Sequence, residues 1–145
     1  MAEITDTPRW ISATLSTPGL LPIARIGLVS AFLIGGIQKV ADFPAAVAEQ
    51  AHFGLEPAWW WAIAAIVVEL GGSILVVAGR WVWLGAGGLG VLTAVSMLVA
   101  NNFWALSGHD RFMATNAFFE HLGLIAGLVL ISVISLHQKE RGHHV

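Results

Sequence analysis

The sequence predicts an all-α integral membrane protein: a four-helix bundle with a short interfacial helix after the first span. Three observations carry this. First, of 145 residues 57% are apolar and only 11% charged, with a mean hydropathy of +0.77. A soluble domain carries about 25% charged residues, so this chain has too few to cover a globule in water. Second, four apolar runs each approach the roughly 20 residues a helix needs to cross a bilayer core. Third, the runs are apolar all round rather than striped, unlike the helices of a soluble bundle. A disordered chain is excluded by the hydrophobicity. A nucleic-acid binder is excluded by seven Lys+Arg against nine Asp+Glu, which leaves no basic stripe. The absence of Cys excludes thiol chemistry, Cys-bound zinc, iron–sulfur ligation and c-type haem attachment.

Residues 1–20 read as an N-terminal surface segment. It is no signal peptide, because Glu3 and Asp6 stand where a positive region is required. The membrane domain covers 21–136, with spans at about 21–40, 58–79, 82–104 and 115–136. Between the first two spans, Pro44, the run Ala45 to Ala51 and Phe53-Gly54 predict a helix lying in the interface and ended by Gly54. Gly79-Arg80-Trp81 is short enough to make the second and third spans antiparallel neighbours. The third connection, 105–114, is polar, with His109, Asp110 and Arg111, and reads as a loop. Residues 137–145 form a polar tail.

Trp59, Trp60, Trp61, Trp81, Trp83 and Trp104 fall at span ends, the positions of an aromatic belt. Arg9, Arg25, Arg80, Lys139 and Arg141 collect on the side of the termini, against Lys39 and Arg111 on the other. This asymmetry places both termini in the cytoplasm.

An ionisable group in hydrocarbon costs at least about 2.5 kcal/mol on insertion scales, so each one needs a reason. Glu69 stands near the centre of its span and is too short to reach the headgroups. It must face the bundle, protonated or paired with Arg25, Lys39 or an outer-half Asn. Arg25 and Lys39 lie on roughly one helix face, about 21 Å apart along the axis. Asn116, Glu120, Gly123 and Gly127 recur at helical spacing and form one stripe, which His121 borders. Lys39, Asn101, Asn102, Asn116, Glu120 and His121 fall in the outer half, above Glu69. The candidate intramembrane site is therefore Arg25, Lys39, Glu69, Asn102, Asn116, Glu120 and His121. Of these, Lys39, Glu69, Glu120 and His121 are expected to converge on one polar pocket, because grouped polar residues supply one another's partners. Gly27, Gly35, Gly36, Gly71, Gly72, Gly123 and Gly127 are the expected helix-packing positions.

No metal site is expected. Two-His haem needs a second deep His, and only His121 is deep; His52 and His109 fall in connections. A di-iron site wants paired Glu-x-x-His motifs, whereas Glu120 and His121 are adjacent. His137, His143 and His144 lack a rigid frame.

Arg25, Phe32-Leu33-x-Gly35-Gly36-x-x-Lys39, Gly54, Glu69-Leu70-Gly71-Gly72 and Gly79 together resemble the pattern of the DoxX family, small four-helix membrane proteins of bacteria and archaea. The resemblance covers roughly residues 21–104; the fourth helix matches in character. It implies a bacterial inner-membrane subunit or partner of a membrane oxidoreductase, such as the subunit of a thiosulfate:quinone oxidoreductase. It assigns no reaction, and without Cys no thiol-based role carries over. Two functions follow as expectations. In one, the outer-half pocket holds a quinone or another small ligand, with no covalently bound cofactor. In the other, the chain is a non-catalytic accessory subunit whose small-residue faces stabilise a larger membrane complex. The partners in either case are the lipid bilayer and other membrane subunits. A transporter is disfavoured, because no span is broken and no repeat is evident.

Overall fold

The computed structural model describes residues 7–142, with side chains described for residues 7–138. Glu3, Asp6, His143 and His144 lie outside the described residues, as do the side chains of Lys139 and Arg141. The described chain is helical with no strand. Helix α1 (Arg9–Leu15) precedes α2 (Leu20–Ala41), α3 (Phe43–His52), α4 (Ala58–Ile66), a π-helical turn (Val67–Gly71), α5 (Gly72–Ala78), α6 (Val82–Ala100) and α7 (Gly108–Gly142). Four segments are long and apolar enough to cross a bilayer: Leu20–Ala41, Ala58–Ala78, Val82–Ala105 and Gly108–Gln138. Where no water reaches the backbone, only helices and closed barrels satisfy its amides, so the apolar runs fold as helices.

Local chemistry sets the connections. Asp42 Oδ1 accepts from the Ala45 amide at 3.1 Å and caps α3, whose second residue is Pro44. Gly54 follows α3 in the left-handed region, at φ 73°. The turn after α5 has Gly79 at φ 69° and Trp81 at φ 51°, so the chain reverses within three residues.

The fourth helix differs from the sequence expectation. It begins at Gly108, not near 115, so His109, Asp110 and Arg111 form its first turn rather than a loop. A helix satisfies its own amides in water as well as in lipid, so polar residues need not end it at the membrane boundary. Asp110 also suits the positive N-terminal dipole. The third helix is correspondingly shorter and closes with a 3₁₀ turn at Phe103–Ala105. The N-terminal segment carries helix α1, which buries none of its residues.

Each span packs on its neighbour in sequence, and α7 closes the ring against α2. The core is a cluster of Val29, Val76, Val82, Ala86, Leu89, Leu128 and Ile131, with at least one residue from every span. All seven lie in the half of the bundle nearer the termini. Gly72 and Gly85 let α5 and α6 approach there: a Cβ on Gly72 would stand 3.0 Å from the Gly85 carbonyl oxygen and 2.9 Å from Leu89. The half far from the termini is packed differently, and it holds the site.

Candidate functional site

Glu69 sits in the π-helical turn and is only 8% exposed. A π turn inserts one residue into the α-helical register and redirects the side chains around it; such turns recur at functional sites. Here it aims the Glu69 carboxylate at α2. Lys39, near the end of α2, donates from Nζ to both carboxylate oxygens, at 3.0 and 3.3 Å. The two side chains are 18% and 11% exposed. Gly35 makes room for the pair: a Cβ there would stand 3.5 Å from Glu69 Oε2 and 3.6 Å from Lys39 Nζ. Gly36 lies tighter still, against Leu70 and the Glu69 Cβ.

The ion pair forms one wall of a cavity of about 690 Å³. Most of its lining is apolar, from the facing sides of α4, the π-helical turn and α6, such as Ala64, Val68, Leu92 and Val95. Helix α3 roofs it with Glu49 and Gln50, and Phe53 joins them just past its end. Asn101 lines it from just past α6 and His121 from α7. His121 Nδ1 lies 2.6 Å from the Ala117 carbonyl oxygen. A carbonyl only accepts, so Nδ1 carries the proton, and in the neutral ring Nε2 is left as an acceptor. Among the described residues no cluster of His and carboxylates has the makings of a metal site.

The structure thus brings Lys39, Glu69 and His121 to one cavity and keeps the other expected residues out. Glu120 is exposed and lines no part of it, because it projects about 100° around the helix from His121. Asn116, one turn before Glu120, is exposed on the same face. Asn102 is half-buried just past α6 and is not in the lining; its neighbour Asn101 is. Arg25 belongs to the other end of the bundle. Its Nη2 donates to Ser135 Oγ at 3.1 Å, and its guanidinium rests against Gly79. The expected packing glycines divide in the same way. Gly35, Gly36, Gly72 and Gly127 face neighbouring side chains, whereas a Cβ on Gly27, Gly71 or Gly123 would meet nothing within 4 Å.

Sequence reasoning missed Gln50, Phe53 and Trp61. Trp61 stands among the belt positions, yet it borders the cavity while 43% exposed. Ser135 was missed as the partner of Arg25, because a hydroxyl in an apolar run has no marked role until a donor faces it.

The sequence profile of the DoxX family matches residues 20–102, more than half of the chain. The protein belongs to the DoxX family. Inner membrane protein YphA of Escherichia coli (strain K12) is 26% identical over 128 residues, covering 88% of this chain and 91% of that protein. No solved structure matches the chain. The DoxX segment contains α2 to α6, and with them the Lys39–Glu69 pair and most of the cavity wall. His121 and the Asn116–Glu120 face lie beyond it, on α7.

Proposed function

We propose that this DoxX-family protein is a multi-pass subunit of a bacterial inner membrane that serves a membrane oxidoreductase by holding a quinone-type ligand. The observation that carries the reading is the cavity: about 690 Å³, largely apolar, with the Lys39–Glu69 pair, Asn101 and His121 at its edge. Ligand sites have volumes of about 300–1,000 Å³ and combine apolar walls with a few fixed polar groups. A quinone ring with part of its isoprenoid tail has that chemistry and reaches such a cavity through the lipid. Lys39 and the Asn101 amide offer donors to carbonyl oxygens, and His121 Nε2 offers an acceptor to the hydroxyl of the reduced quinol. The inner-membrane relative, the DoxX membership and the basic bias toward the termini support an inner-membrane location with both termini cytoplasmic.

The test is purification in mild detergent, lipid extraction and mass spectrometry of every small molecule and protein retained. Quinone near one equivalent in the wild type, and much less in His121→Ala at equal folded yield, is the expected result. A stoichiometric protein partner with no quinone would replace this reading by that of an accessory subunit.

A further inference from the structure

Glu120 creates a cost that the single chain does not meet. Helices α2 and α7 run antiparallel, and a Cβ at Gly127 would touch Leu28. Seven residues up both helices, Glu120 is level with Gly35, which abuts the Lys39–Glu69 pair. Glu120 therefore lies about 9 Å inside the end of α2 at 1.5 Å per residue. Its side chain is exposed there. Among the described residues neither Glu120 nor Asn116 has a hydrogen-bond partner. Intramembrane ionisable groups face a bundle interior or a cavity in most membrane proteins, because exposing them to lipid is costly.

The same face has the form of a contact surface. Asn116, Glu120 and Gly123 follow one another at four and three residues. Phe112 and Phe119 flank them, 61% and 57% exposed. Gly123 is an open notch, with nothing within 4 Å of a Cβ built there.

We propose that this face of α7 pairs with the same face of a second copy of the chain. The complementarity lies within the stripe: Asn116 carries amide donors and Glu120 carboxyl acceptors, one turn apart. In a parallel two-fold contact, Asn116 of each copy reaches Glu120 of the other, so both polar groups find partners without a third component. The Gly123 notches let the two backbones come close enough for those bonds. The described residues offer no cation for the purpose at that depth. Lys39 is bound to Glu69, and Arg111 lies nine residues up α7, about 13 Å nearer water. Hydrogen bonding from Asn116 is what the sequence supplies instead. The proposal is independent of any ligand in the cavity.

The absence of Cys makes single-cysteine crosslinking free of background. Phe112→Cys, one turn before Asn116 on the same face, and Gly123→Cys, oxidised in native membranes, should each give a covalent dimer of twice the 15.4 kDa chain. Ile34→Cys, lipid-exposed on α2 at matching depth, should stay monomeric. Adding Glu120→Leu to Gly123→Cys should lower the dimer yield roughly tenfold, the effect of losing one or two intramembrane hydrogen bonds, while Glu120→Gln should keep most of it. The unmodified protein in lipid nanodiscs should have dimeric mass. Monomers by both measurements, equal crosslinking at Ile34→Cys, or a crosslinked product of another mass, which would mean that a different membrane protein covers the stripe, would each overturn the proposal.

Discussion

The Lys39 ammonium bridges both oxygens of the Glu69 carboxylate, at 3.0 and 3.3 Å, across the packed faces of α2 and the π-helical turn. The bond joins residues thirty positions apart in sequence and fixes the wall of the cavity. Removing one partner leaves the other charge desolvated. Lys39→Met or Glu69→Leu alone should destabilise the folded protein by roughly 3 kcal/mol, and the double variant should recover most of that loss. Thermal melting in detergent, followed by Trp fluorescence, checks this; additive losses in the double variant would show that the pair is not coupled.

Gly79 combines a left-handed backbone with the Arg25 guanidinium packed on its open face. Gly79→Ala should cost roughly 1–2 kcal/mol from the backbone alone, and more because Arg25 must move off its bond to Ser135. Arg25→Ala should relieve the steric part of the Gly79→Ala defect. An Ala at 79 that melts with the wild type would refute the account.

Gly72 and Gly90 contrast within the same pair of helices. A methyl group on Gly72 meets Leu89 and the Gly85 carbonyl oxygen, whereas one on Gly90 meets nothing within 4 Å. Gly72→Ala should lower the melting temperature. Gly90→Ala should leave it unchanged or raise it, since Ala is favoured over Gly in a helix by roughly 0.5–1 kcal/mol. The reverse order would mean that α5 and α6 do not meet at Gly72.

Trp61 borders the cavity, so a short-chain quinone should quench its emission. The wild type should lose more fluorescence on titration than Trp61→Phe, and the difference should saturate. Equal, unsaturable quenching in both would indicate quinone dissolved in lipid and not held in the cavity.

Both ends of the described chain lie on one side of the membrane bundle, and the proposed orientation with that side cytoplasmic rests on its basic residues. A fluorescent protein fused to the C-terminus should mature in the cytoplasm, and an alkaline phosphatase fusion at the same point should stay inactive. Phosphatase activity would invert the topology and open the cavity to the cytoplasmic half.

The sequence by itself determined the solvent and the helix count: long apolar runs with few charges have only one way to satisfy their backbones in lipid. It marked Lys39, Glu69 and His121 as residues needing a reason, and predicted a short helix between the first two spans from Pro44, its alanines and Gly54. Only the tertiary structure decided which acid Lys39 meets, that Arg25 turns instead to Ser135 and Gly79, and that Glu120 faces outward while His121 beside it faces the cavity. The reason is rotational. Helical spacing groups Asn116, Glu120, Gly123 and Gly127 on one face, but it does not show which way that face points or what meets it: Gly127 packs on Leu28 while Asn116, Glu120 and Gly123 stay exposed. In a soluble helix the polar stripe marks the solvent side. In a membrane span both sides are apolar, so the absolute rotation of each helix is set by packing against its neighbours, through contacts such as Gly72 on Gly85 and Gly127 on Leu28. The π-helical turn at Glu69 adds a local shift in register that no periodicity in the sequence announces.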